Sequence, residues 1–288
     1  MGNSTEVVEL LRQNTTLYHY TSALTALEHI LPYGRLRFSP LALTNDPYEY
    51  KELIPFGGSS EMAQSEERLG FQAMFKIAKL RKENHHVLAF TLNLSNEIPF
   101  FNFPLLEKYN ELGCCNLRMW SQYGDNYRGV SIAFDQSKLI EKANKLDNIN
   151  RLYNDKITYD RFRTVNRGTV QFEKVIKRGI DAYCMDYFDE NKNALFFTKD
   201  PSFKDENEFR LIVYADTDEK IYLEIKESII AVIIGDRFPD GLLPSLLYLC
   251  RKLQVPCKRA YWESDQIMLY DPKPLDHNFW DEWSDILS

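Results

Sequence analysis

The chain contains no apolar run approaching the roughly 18 residues that a helix needs to span a bilayer, so no membrane-spanning helix is expected. Cysteine is sparse: Cys114, Cys115, Cys184, Cys250 and Cys257 are the only five, and the close pairs are adjacent or seven apart. No zinc site has that spacing, and an odd, scattered set fits a reducing cytoplasm. The opening MGNSTEVVELL lacks a basic segment followed by an apolar core, and it carries Glu6 where a myristoylation signal wants Ser or Thr. A Gly-rich phosphate loop, a GxSxG elbow and an HExxH pattern are all missing, and His85 and His86 have no nearby Cys or spaced carboxylates. Basic residues do not predominate: 35 face 42 acidic ones, for a net charge of −7 and a pI of about 5.4. Such a balance argues against affinity that rests on wrapping a nucleic-acid backbone, a local basic cleft apart. No internal repeat, low-complexity tract or linker interrupts the chain. These absences predict a cytoplasmic protein without a membrane or metal partner. It should form a single domain over residues 1–288, with a core at about 15–262 and a C-terminal tail packed on it.

What is present is globular: 44% apolar and 14% aromatic residues in 288, ample for a sizeable core. The pattern predicts a short amphipathic helix over 4–13 and an aromatic strand over 17–21. Ser22 should cap a helix that Pro32 and Gly34 close. A strand over 35–39 runs into a turn at Asn45-Asp46-Pro47. Then follow a long helix over 61–82, a strand over 86–92, a surface loop over 95–103, one or two helical turns over 117–123, a turn over 124–128 and a buried strand over 129–134. Asp135 should cap a helix to about 146, before a strand over 153–159 and a long helix over about 166–188. Strands over 211–214, 221–225 and 229–234, a helix over 242–253, a final strand over 255–260 and a helical tail complete the series. Mixed order with helices early and strands late predicts α+β, a mostly antiparallel sheet, whole or split, flanked by helices.

The stretch FKDENEFRLIVY concentrates the charge. Asp205, Glu206, Glu208 and Arg210 precede the apolar run Leu211, Ile212, Val213, Tyr214. Acids at the mouth of a buried strand are costly unless they face water, a cation or a substrate. Strand alternation predicts Glu206, Glu208 and Arg210 on one face. Other polar and aromatic signals each have an ordinary structural explanation. His19 lies between Tyr18 and Tyr20 on a strand, and Trp120 and Tyr123 lie one helical turn apart. Arg128 stands before Gly129, where solvent would suffice.

In order along the chain, LYHYTS, LRFSPLALTNDPYEY, RMWSQYGDNYRGVSIAF and DENEFRLI resemble the bacterial family called domain of unknown function 2971. Its pattern is a Tyr-His-Tyr-Thr strand, an Asn-Asp-Pro turn ending in an acid, a Met-Trp segment leading through Tyr and Arg-Gly to a strand, and a Glu-x-Glu-aromatic-Arg segment. Phe209 stands where a tryptophan is usual, and Tyr127 where a His is common. The motif order is in turn similar to that of the ADP-ribosyltransferase fold, which implies NAD as a substrate and a toxin or phage-defence setting. That resemblance implies Glu208 as the catalytic acid and Glu206 as its partner. His19 would hydrogen-bond the nicotinamide ribose beside Tyr20. Tyr48 or Tyr50, or in third place Tyr123, would stack on the nicotinamide, and Arg35 or Arg37 would meet the diphosphate. Tyr18, Thr21, Asn45, Asp46, Trp120, Arg128 and Arg210 are further motif residues.

Breaking the nicotinamide–ribose bond develops a cation at the ribose, which a fixed carboxylate would stabilise while a second orients or deprotonates the acceptor. The acceptor itself, whether protein, nucleic acid, small molecule or water, is not specified by the residues. Two other classes stay open. One is a non-catalytic binding or interaction module of the same fold, with Glu206 and Arg210 as an internal ion pair. The other is a defence nuclease with Asp46, Glu49, Glu206 and Glu208 around a divalent metal.

Overall fold

The computed structural model describes residues 4–13, 15–51, 54–58, 63–94, 111–161, 168–217, 219–263 and 266–272. The loop expected over 95–103 and the helical tail lie outside these residues. Thirteen strands occur among them: β1 (Thr16–Thr21), β2 (Arg35–Arg37), β3 (Ser39–Pro40), β4 (His85–Leu92), β5 (Val130–Asp135), β6 (Arg151–Lys156), β7 (Thr158–Tyr159), β8 (Thr198–Lys199), β9 (Glu208–Tyr214), β10 (Tyr222–Glu224), β11 (Ile229–Ile234), β12 (Cys257–Glu263) and β13 (Gln266–Tyr270). Helices alternate with them, so the fold is α+β with mostly antiparallel, open sheet. The chain divides into two compact units, one from Met1–Arg35, Phe90–Leu139 and Glu224–Ser288, the other from Leu36–Ala89 and Ile140–Leu223.

In the first unit the strand order is β13-β12-β11-β5-β1, with the last residues of β4 beside β1. β1 runs antiparallel to β5, placing His19 opposite Ile132 and Tyr18 opposite Ala133. β11 continues antiparallel on β5 after a bulge between Ile229 and Ala231. β12 is parallel to β11 and antiparallel to β13. Alternation along β1 sends Tyr18 and Tyr20 into a core with Trp120, Ala133, Ala231 and Ile233. Ala133 opposite Tyr18 and Ser131 opposite Tyr20 leave room for the rings, and each polar tip finds a carbonyl. Tyr18 Oη donates to Leu11 O at 2.9 Å, Tyr20 Oη to Gly113 O at 2.6 Å and Trp120 Nε1 to Cys114 O at 2.7 Å. Ser22 caps the helix after β1 as expected, its Oγ accepting from Thr25 N at 3.1 Å, and Asp135 caps the next one through Lys138 N. The additional strand β13 follows a very short connection after β12 that sequence pattern did not resolve.

In the second unit β9 lies between the early part of β4 and β6, with β3 on the other side of β4. β6 and β9 are antiparallel, pairing Tyr153 with Ile212. Three helices, Gln64–Glu83, Phe172–Arg178 and Ile180–Phe196, cover this sheet through Ala73, Met74, Ile77, Phe172, Tyr187, Phe188 and Phe196. The single helix expected over 166–188 is two, because Gly179 adopts φ 80° and breaks it, and the second continues eight residues further to Phe196. Gly70 lets two helices close up: a Cβ there would lie 2.3 Å from the Phe172 ring.

His85 is fully buried in this unit, against the rings of Phe188, Phe196 and Tyr214. Leu80 O can only accept, so the contact at 3.1 Å assigns a proton to Nδ1, and the buried Nε2 has no hydrogen-bond partner among the described residues. Burial pushes its pKa down to about 3, the Leu80 hydrogen bond opposing. The unfolded chain therefore takes up this proton first as pH falls. Stability contributed by His85 is complete above about 6.5 and declines towards pH 3 at about 1.4 kcal/mol per pH unit. Denaturant titrations of the wild type and His85→Phe across that window should differ by this slope; parallel curves would refute the assignment.

Candidate functional site

The Glu-x-Glu segment is built differently from a continuous strand. Asp200 caps a 3₁₀ helix, Pro201–Glu206, its carboxylate accepting from Ser202 N at 2.9 Å, and Pro201 supplies the fixed φ of the first turn. Asn207 then adopts the left-handed region, with φ 42° and ψ 57°, and β9 begins at Glu208. The expectation that Glu206 belongs to the strand is thus corrected, whereas Glu208 and Arg210 do share one face of β9. An Asx-turn cap and a left-handed Asn outcompete strand alternation at this point.

Glu206 and Glu208 are nevertheless brought together by a cation. Lys199 Nζ lies 2.8 Å from Glu206 Oε2 and 2.7 Å from Glu208 Oε2, and its ammonium sits 5.1 Å from the centre of the Phe203 ring. On the other side, Arg210 Nε meets Glu208 Oε1 at 2.5 Å and its Nη2 meets Oε2 at 3.3 Å, a forked contact. Arg210 Nη1 donates to Phe196 O at 3.1 Å and lies 2.5 Å from Glu49 Oε1. The Glu49 contact is one of charge, because neither Glu49 oxygen has a well-aligned hydrogen bond. Glu49 reaches the cluster from the short helix Pro47–Tyr50, which the expected Asn-Asp-Pro turn initiates through Glu49 N to Asp46 O, 2.8 Å. Arg81 completes the surroundings by donating to the carbonyls of Glu49 and Leu195 at 3.4 and 3.2 Å.

Three carboxylates and two cations are here almost wholly withdrawn from water: Glu49, Glu206, Glu208, Lys199 and Arg210 are each under 7% exposed. Burial pushes the Glu49 carboxyl up, but Arg210 and Lys199 outweigh it and hold its pKa at about 2. Burial likewise opposes the charge on Arg210 and Lys199, and Glu208 chiefly restores it, leaving both above their ordinary values. Tyr159 Oη accepts from Glu208 N at 3.0 Å and has its pKa raised by burial.

The remaining sequence candidates separate into groups. In the unit of the cluster, Asp46 is buried, Asn45 and Arg37 are exposed and Tyr50 is on the surface. The side chain of Tyr48 lies outside the described residues. In the other unit Tyr18, Tyr20, Thr21 and Trp120 are core residues, while His19 and Tyr123 are half-buried. The His19 ring is 5.8 Å from Phe90, and Arg35 stacks over Tyr33 at 5.1 Å. Arg128 is exposed and faces Asp125 at 3.6 Å. Among the described residues no group of three or more His, Cys, Asp or Glu is placed to hold a metal ion, and the four carboxylates named for a nuclease do not form one. Sequence reasoning missed Lys199 and Arg81. Their only signal is position, Lys199 immediately before a helix cap and Arg81 in the last turn of an amphipathic helix.

Removing one partner of such a cluster strands a buried charge. Arg210→Ala should lower unfolding free energy by roughly 3–5 kcal/mol, read by denaturant titration. Because the Glu49 carboxyl is ionised in the fold down to about pH 2, its contribution is complete above about 4.5 and is lost between the two values. Glu49→Gln should flatten that part of the acid-stability profile, and an unchanged profile would disprove the pairing.

The family described as Protein of unknown function (DUF2971) has a model that matches residues 119–211, from the Met-Trp segment through Leu211. No curated protein and no solved structure matches the chain. The match supports the resemblance to that family over this segment, which spans two of the four motifs.

Proposed function

We propose that the chain works as a binding module in which the acids of the last motif hold the fold together and do not perform catalysis. The observation that carries this reading is the state of Glu208, 5% exposed with both oxygens engaged by Arg210 and Lys199. A carboxylate that stabilises a cation developing on a ribose has to be open on one side and not already compensated. Glu208 meets neither condition, and Glu206 is closed off by the same lysine.

NAD-dependent ADP-ribosyl transfer is the second reading, and one arrangement favours it. Glu206 and Glu208 converge on a single ammonium, so a ribose cation taking the place of Lys199 Nζ would meet both acids. Glu208 would then be the catalytic acid and Glu206 the residue that orients the acceptor, whose class remains to be assigned.

Thermal unfolding separates the readings, since a ligand that binds the native state raises the melting temperature. The binding-module reading expects no shift with NAD, none with Mg²⁺ and no release of nicotinamide. Glu208→Gln should lower the melting temperature by several degrees. An NAD-dependent shift with nicotinamide release that a folded Glu208→Gln protein lacks would replace it with the transferase. A shift with Mg²⁺ alone would bring back the nuclease.

A further inference from the structure

The Met-Trp-to-Arg-Gly motif is not absorbed by the charged cluster, and it builds a cavity of its own in the first unit. The cavity has a volume of about 290 Å³, and its walls include Trp120, Tyr127, Trp262 and Ile267 together with Asp236 and Arg237. We propose that this cavity binds a guanine base, stacked on the rings of Tyr127 and Trp262 and read by the Asp236 carboxylate.

The backbone that forms one wall is strained. Asp125, Asn126 and Tyr127 have φ of 50°, 52° and 69°, three consecutive non-glycine residues in the left-handed region. Such a run persists only where its surroundings over-determine it, and strain of this kind gathers at ligand clamps. Here Tyr127 N donates to Trp120 O at 3.2 Å, Gly129 N to Gly124 O at 2.8 Å and Arg237 N to Tyr127 O at 3.0 Å. Gly235 is required beside it, because a Cβ there would lie 2.1 Å from Tyr127 O. The effect is to hold Tyr127 at the cavity, with its Oη donating to Leu117 O at 3.2 Å.

Asp236 supplies the polar recognition. It is half-buried, and its carboxylate accepts no hydrogen bond from the described residues. Burial pushes its pKa up while Arg259 and Arg237 pull it down. Arg259 is committed elsewhere, to Asp240 Oδ1 and to the backbone carbonyl of Asp236, both at 3.2 Å. Asp236 and Arg237, the charged residues of the lining, balance each other, so the cavity calls for N–H donors more than for a cation. Two carboxylate oxygens match two adjacent donors, and among the bases only the Watson–Crick edge of guanine offers N1–H beside N2–H₂. Adenine would turn its N1 lone pair towards the carboxylate. Aromatic faces accept any base by stacking, and the exposed Arg237 suits the phosphate of a nucleotide at the rim.

The site is built from residues of the first unit alone, and its test does not depend on Glu208. GMP and AMP are titrated against the full chain with tryptophan fluorescence and calorimetry as readouts. GMP should bind at least about tenfold more tightly than AMP. Asp236→Asn, isosteric and half-buried, should abolish that preference while the fold is retained. Trp262→Ala, at a side chain 46% exposed, should weaken both ligands without unfolding the protein. Equal affinity for GMP and AMP, binding of neither at millimolar concentration, preference retained in Asp236→Asn, or binding of tetramethylammonium in place of GMP would each overturn the proposal.

Discussion

A guanidinium cannot shed its charge when it is buried, so wherever Arg210 goes its counter-ions have to follow. Placed on the third position of β9 and 2% exposed, it draws Glu208 from its own strand, Glu49 from the helix after the Asn-Asp-Pro turn and the carbonyl of Phe196 from the end of a long helix. Three separate stretches of the second unit are tied to one group. Lys199 extends the tie to Glu206 and the 3₁₀ turn. A well-packed apolar substitute could be as stable, but it would not specify which of these segments meet.

The same rule organises the aromatic motifs of the first unit in neutral form. Tyr18, Tyr20 and Trp120 are buried for their apolar bulk, and each finds one backbone carbonyl for its single donor. Arg81 does this with charge, donating to the carbonyls of Glu49 and Leu195. Most residues that drew attention as candidates for chemistry are therefore tied by their polar ends to the protein itself. Among the described residues the Asp236 carboxylate accepts no such hydrogen bond, and Tyr127 at the same cavity has a strained backbone.

Periodicity made most elements legible, because strands such as 130–135 and 229–234 are nearly continuous apolar runs and helix caps such as Ser22 and Asp135 carry a local signature. Elements whose form is decided by one backbone residue were not legible. Gly179 divides a helix that reads as continuous, and Asn207 ends a strand pattern that would otherwise run through Glu206. Of the cluster, Glu206, Glu208 and Arg210 could be read from their crowding and Glu49 from the acid that closes its motif. Lys199 could not, because a lysine beside a capped turn looks solvated until the fold places two acids against it. The cavity was hidden for the same reason, since Trp120 and Tyr127 meet Trp262 and Asp236 only after more than a hundred residues have been threaded between them.

Asn207 bears no charge, yet its torsion angles decide how far apart the two acids stand. With φ 42° and ψ 57° it ends the 3₁₀ helix and starts β9, so Glu206 and Glu208 approach Lys199 from a turn and from a strand. Separation of the carboxylates is thereby governed by a backbone conformer open to Asn and Gly but strained for a β-branched residue. A substitution at this one neutral position would change the geometry of the acid pair while every charged residue stays the same.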